Sequence, residues 1–125
     1  SIDFDNLVIS APANGVVTLK QGYVFQAGNV LSSDTTALNY NNYILSNITA
    51  NKTLTLPAGN AGDSIKITNM SSLNASGAYV QPTFTWSIAT NGSEKIMRAS
   101  SLTLDASTES FELLYTDATN GWVIN

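Results

Sequence analysis

The chain has 125 residues, enough for one domain that buries roughly two-thirds of its unfolded surface. It carries no cysteine and no histidine, which removes disulfides, thiolate chemistry, iron–sulfur clusters, the usual nitrogen and sulfur zinc sites and any serine–histidine catalytic pair. Nine acidic against five basic residues leave a net charge of −4 with no run of either sign, so nucleic-acid binding lacks its main driving term and no basic amphipathic face suggests membrane insertion.

Strand signals recur about every eight to twelve residues, the spacing of a sandwich or barrel. The first segment is loose, with Pro12 and Asn14-Gly15, and strand signals at Leu7 to Ser10 and Gly15 to Lys20. Residues 1–20 are read as an N-terminal arm or first strand, and 21–125 as a single β-sandwich domain. The arm either crosses to a neighbour or fixes the module to a larger particle; the plain alternative is a flexible terminus. No charged n-region followed by an apolar core marks a signal peptide. A strand at Tyr23 to Ala27 leads into a polar stretch from Gly28 to Asn42, which contains Asp34-Thr-Thr and Asn39-Tyr-Asn-Asn42.

The next strands are Asn42 to Ile48, Thr53 to Leu56 and Ser64 to Asn69. Leu54 and Leu56 alternate with threonines, and Ile65 and Ile67 with Ser64, Lys66 and Thr68, so each run buries one face. The segment Pro57-Ala-Gly-Asn-Ala-Gly-Asp63 between them suits a reversal into an antiparallel partner, with Pro57 ending the first run. The longest run, Ala78 to Ala89, sets Val80, Pro82, Phe84, Trp86 and Ile88 on one face and Tyr79, Gln81, Thr83, Thr85 and Ser87 on the other. Pro82 cannot donate to a ladder, which marks this strand as an edge or a bulge. An edge covered by a second copy of the chain would be protected. Strands at Leu102 to Leu104, Ser110 to Tyr115 and Gly121 to Ile124 complete an all-β chain, read as an antiparallel β-sandwich or small barrel. Leu54, Leu56, Ile65, Ile67, Phe84, Trp86, Ile88, Phe111, Leu113, Trp122 and Ile124 are its expected core or trimer-packing residues.

The polar positions are filled by 14 Asn, 15 Ser and 14 Thr, 43 of the 125 residues. Such short uncharged side chains suit turns and outward strand positions, and they fit fibre and adhesin surfaces that stay soluble while packed side by side. A β-rich domain from a source that favours Asn and Ser would look the same. Chemistry is sparse. Glu109 and Glu112 with nearby Asp105 are the one acid group suited to glycan cleavage, yet Glu109 and Glu112 fall on opposite faces of their strand. The glycine-rich segment 57–63 lacks the Lys-Ser/Thr and the helix start of a phosphate cradle. Asp117 and Asn120 offer oxygen donors for calcium, but Asp-x-x-Asn-Gly is also a plain type I turn. The reading is therefore no enzyme, no metal and no cofactor. Asn-x-Ser/Thr triplets at Asn47, Asn51, Asn69, Asn74 and Asn91 are not far above chance in this composition. Among the aromatics, Tyr40 in the Asn-rich loop and Tyr79 on the polar face are the candidates for receptor or glycan contact.

The order of several motifs carries a resemblance. A Tyr-led strand (Tyr43, Ile44, Leu45) precedes Thr53-Leu-Thr-Leu-Pro57, then Gly62-Asp-Ser-Ile-Lys-Ile-Thr-Asn69. Asn91-Gly-Ser-Glu-Lys-Ile96, Leu102-Thr-Leu104, Ser110 to Tyr115 and the closing Asn120-Gly-Trp-Val-Ile124 follow. From Tyr43 onward the chain resembles the small all-β module of bacteriophage tail fibres, head fibres and related virion surface proteins; the residues before Tyr43 match no motif of it. The resemblance implies a homotrimeric virion component on the capsid exterior or tail. Its implied partners are its own copies, other capsid or tail proteins and a host surface glycan. A carbohydrate-binding or adhesin module and a glycan-cleaving tailspike fragment are the competing readings.

Overall fold

The computed structural model describes residues 28–104 and 109–125, together with Ala13 and Gly15. Apart from those two residues, the arm and the three strands expected before Gly28 lie outside the described residues, as does Asp105. The described chain is all-β: β1 (Asn29–Leu31), β2 (Thr35–Thr36), β3 (Asn42–Leu45), β4 (Lys52–Thr55), β5 (Ser64–Asn69), β6 (Trp86–Ala89), β7 (Ser101–Leu104), β8 (Glu109–Asp117) and β9 (Gly121–Ile124).

These strands form two open sheets, ordered β1-β3-β5-β8-β9 and β2-β4-β6-β7, rather than a closed barrel. Up to β6, successive strands alternate between the sheets, so each lies beside the strand two before it and runs parallel to it. Tyr43 stands opposite Ile67, and Leu54 opposite Ile88. A parallel pair needs a crossover, and here each crossover contains a strand of the other sheet. The chain thus winds around its core before it turns back. Among the described strands, the antiparallel pairs are β6/β7, β5/β8 and β8/β9. The expected all-antiparallel sandwich is corrected to two mixed sheets.

The expected reversal between β4 and β5 is corrected for the same reason. Leu56 extends the second sheet by donating its N–H to the Ala89 carbonyl at 2.8 Å while its side chain is fully buried. By Asp63 the chain is bonded to the first sheet, where the Tyr115 N–H reaches the Asp63 carbonyl at 2.9 Å. Residues 57–63 are therefore an arch between sheets. Alternation fixes which face of a strand is buried but not which strand lies beside it.

The long strand from Ala78 is also corrected: only Trp86–Ala89 is strand, and β6 is interior, between β4 and β7. Upstream, the Val80 N–H bonds the Ser72 carbonyl at 2.7 Å and Tyr79 bridges Leu73, so residues 79 and 80 pair with the loop after β5. Pro82 lies in the irregular segment that follows.

One core fills the space between the sheets. Leu45, Ile65, Ile67, Leu113 and Trp122 come from the first sheet, and Leu54, Trp86, Ile88 and Leu104 from the second. Trp86 is fully buried, and its indole N–H is satisfied by the Ser46 carbonyl at 3.0 Å. Of the expected core residues, Leu54, Leu56, Ile65, Ile67, Trp86, Ile88, Leu113 and Trp122 are buried, while Phe84 and Phe111 are half-buried. Ile124 pairs with Leu113 at the end of edge strand β9 and is 45% exposed, so it lies outside the core of the single chain. Outward positions of the second sheet carry Thr36, Thr55, Ala89 and Ser101 in one row and Thr53, Ser87 and Thr103 in the next. Six of the chain's 29 serines and threonines lie in these two rows.

Candidate functional site

The loops gather into two regions of different character. The first is a clasp that joins the 57–63 arch, the 94–99 turn and β8–β9. Both Glu94 carboxylate oxygens accept the Gly59 N–H at 3.1 Å, and Gly59 lies against the Tyr115 ring with no room for a Cβ. Tyr115 in turn meets Trp122 edge-on, with ring centroids 5.4 Å apart. Gly121 has φ +71° and lies against the Lys95 carbonyl, which also accepts the Trp122 N–H at 2.8 Å.

Residues 96–99 form a tight turn in which Ile96 and Ala99 exchange both backbone bonds at 2.8 Å. Met97 (φ 49°) and Arg98 (φ 67°) are left-handed, the geometry of a type I′ turn that glycine and asparagine normally occupy. The turn covers the outer edge of β9. Met97 donates its N–H to the Trp122 carbonyl at 2.7 Å, Arg98 donates its own to the Asn120 carbonyl at 3.2 Å, and the Met97 sulfur accepts the Ile124 N–H at 3.3 Å. An edge that would otherwise present free donors is thereby occupied.

Asp117 belongs to this region as a turn residue. Its Oδ1 accepts the Asn120 backbone N–H at 2.7 Å and its Oδ2 the Asn120 side-chain amide at 3.1 Å. The backbone bond from Asn120 is the main cause that holds the Asp117 carboxyl below its ordinary value. Both oxygens therefore serve the turn, and no group of three or more acidic residues able to hold a metal ion occurs among the described residues.

On the arch, Asp63 is buried and accepts the Asn39 amide at 3.1 Å, the Asn60 N–H at 2.8 Å and the Tyr40 hydroxyl at 3.1 Å. Tyr40 keeps its ring exposed, but its hydroxyl is committed to Asp63, which raises the phenol pKa first through that bond and then through the carboxylate charge. Glu112 stands opposite Lys66 in the β5–β8 ladder.

The second region is a groove of about 350 Å³ lined by residues 47–49, 71–74 and 80–84. Its walls are shaped by asparagines. Asn69, the last residue of β5, is fully buried, and its Oδ1 accepts the Ser71 N–H at 3.1 Å and the Ser71 hydroxyl at 2.7 Å, bending the chain out of the sheet. Asn47 donates its amide to the Ser71 and Leu73 carbonyls at 3.0 and 2.9 Å. Asn74 Oδ1 accepts from the Ser76 N–H, the Ser76 hydroxyl and the Ala78 N–H, all within 3.0 Å, which closes a small loop on Gly77. Tyr79, next in the chain to the lining residue Val80, is half exposed and donates its hydroxyl to Gln81 Oε1 at 2.8 Å. Among the described residues, none that lines it is ionisable. Ile48, Leu73, Pro82 and Phe84, all half-buried, and the exposed Val80 give the groove its apolar surface.

Of the two tyrosines singled out in the sequence, Tyr79 bonds to Gln81 of the groove lining and Tyr40 to Asp63 on the arch; they do not share a hydrogen-bonded cluster. The groove itself was missed by sequence reasoning. A signal was present: the triplets Asn69-Met-Ser71 and Asn74-Ala-Ser76 are two Asn-x-Ser turns in which the amide oxygen holds the serine two residues on.

No protein-family model and no curated protein matches this sequence. Among solved structures, one described as "Structure of a chaperone-substrate complex" is similar over 78% of this chain at 16% identity, with a TM-score of 0.43. The chain spans 14% of that neighbour's length, and a likeness at this level carries no argument about function.

Proposed function

We propose that this chain is a non-enzymatic structural protein of a bacteriophage surface, a fibre, knob or capsid decoration, which assembles as a homotrimer and takes part in host attachment. The observation that carries the reading is where the ordered motifs fall. The arch after Leu-Thr-Leu-Pro57, the Asn91 to Ile96 segment and the closing Asn120-Gly121-Trp122 meet in the clasp, where Gly59 packs on Tyr115, Tyr115 on Trp122 and Gly121 on Lys95. Their order along the chain is thus tied to how the winding closes, which is what a recurrent structural module requires.

A second observation supports self-assembly. Beside the clasp, Met97 and Ile124 are each about half exposed around a depression of about 360 Å³ that Val123, Arg98 and Asn120 also line. Apolar side chains at a sheet edge suit a subunit contact. Light scattering of the purified chain at micromolar concentration is expected to give the mass of three chains, and Ile124→Lys to lower it. A monomer in both samples contradicts the trimer. The competing reading, a carbohydrate-binding or adhesin module outside any virion, is favoured by the uncharged groove and parts from the first on location.

A further inference from the structure

We propose that the groove bounded by 47–49, 71–74 and 80–84 is a binding site for a neutral saccharide. The inference deepens the attachment part of the proposed function and rests on it for its choice of biological partner. Its volume of about 350 Å³ falls within the range of small-ligand sites. Among the described residues no lining residue carries a charge, so a sialylated or phosphorylated sugar would give up hydration with none of them to offset it, whereas a neutral polyol gives up only hydroxyl hydration.

The polar groups that remain are fixed in place by their other halves. Asn47 spends its Nδ2 on two carbonyls and keeps Oδ1 as an acceptor; Asn74 spends Oδ1 on three donors and keeps Nδ2 as a donor. Gln81 gives Oε1 to the Tyr79 hydroxyl and keeps its amide nitrogen. Sugar hydroxyls both donate and accept, and amides held in this way meet them without losing rotamer freedom on binding. The exposed side chain of Val80, with Ile48, Leu73, Pro82 and Phe84 half-buried, supplies the apolar surface that covers a sugar's C–H face, and the half-exposed Tyr79 flanks it, tied to the lining residue Gln81 through its hydroxyl. A peptide would instead call for an unpaired strand edge or a continuous apolar trough, and the fixed amide ends of this groove offer neither.

The test is a glycan array carrying neutral, sialylated and phosphorylated sugars together with unglycosylated peptides, probed with the full chain and followed by calorimetry on the best ligand. Tyr79→Ala and Gln81→Ala alter exposed side chains, and thermal melts check that both variants stay folded; Tyr40→Ala is the control. Binding of neutral sugars that weakens about tenfold or more in each groove variant and is unchanged in Tyr40→Ala is the expected result. Binding to acidic sugars or peptides alone, no binding, or neutral-sugar binding that survives both groove variants overturns the inference. Light scattering on the same samples separates the two claims. A trimer that binds no sugar leaves the proposed assembly standing, and a sugar-binding monomer leaves the groove standing without it.

Discussion

The clasp and the groove are built by opposite means. In the clasp, Gly59 and Gly121 have no space beside them, backbone groups bond across three segments, and an aromatic pair fills the joint. In the groove, asparagine amides bend the chain and leave a hollow with half-exposed aromatic and aliphatic groups around it. The contrast separates residues that a fold cannot change from residues free to be tuned toward a ligand. The closing glycines and aromatics lie in the first region, whose outer rim carries the proposed subunit contact, and the proposed ligand contacts lie in the second.

Substitutions break this comparison most sharply at Gly121. Alanine there keeps an unfavourable φ and drives its Cβ into the Lys95 carbonyl, displacing the bond that seats Trp122, so Gly121→Ala is expected to cost about 3 kcal/mol or more in urea unfolding. Gly59→Ala meets a ring that can shift and should cost about 1–3 kcal/mol by the same measurement. An equal, near-zero effect at both sites contradicts the clasp as the closing joint.

The type I′ turn offers a gain. Replacing Met97 with Asn and Arg98 with Gly installs the pair that tolerates both left-handed positions, and the double variant is expected to gain about 1 kcal/mol despite losing the Met97 sulfur contact and the 2.9 Å Arg98–Asn120 bond. In the groove, Tyr79→Ala is expected to leave stability within about 0.5 kcal/mol, since the ring is half exposed and its one bond goes to an exposed partner. A large loss there would erase the distinction between the two regions.

The pH responses are smaller and belong to surface turns. Asp117 has a lowered pKa, so its turn contributes stability that is present above the ordinary carboxylate value of about 3.9 and is lost as pH falls through the folded value. Asp117→Asn should flatten the acid side of a melting-temperature profile. Tyr40 has a raised pKa, so its bond to Asp63 contributes fully below the ordinary phenol value of about 10 and is lost as pH rises through the folded one. Tyr40→Phe should remove that alkaline dependence, and Tyr40→Ala does so as well.

How much of this was legible in the chain follows from what each signal encodes. Ser64–Asn69 and Gly121–Ile124 form the strands expected of them residue for residue, because alternation and turn residues bound them on both sides. Leu54, Ile67, Ile88 and Trp122 are in the core for the same reason. The parallel winding was not legible, because a two-residue period says which face is wet and nothing about the neighbouring strand. β1 and β2 were missed as well, since Asn29–Leu31 and Thr35–Thr36, three and two residues long, are too short to show a pattern. The run from Ala78 misled because Val80, Pro82 and Phe84 alternate like a strand, while the backbone there bonds to the 72–73 loop. The groove was hidden because its information lies in Asn-x-Ser turns, whose meaning depends on which carbonyl stands nearby.

The proposed role is tested most directly by a cryo-electron map of the particle that carries this chain. The account predicts density for trimers on that particle's surface, at capsid symmetry axes for a decoration or head fibre and at the tail for a fibre or knob. A chain absent from the particle, or present on it as isolated monomers, contradicts it.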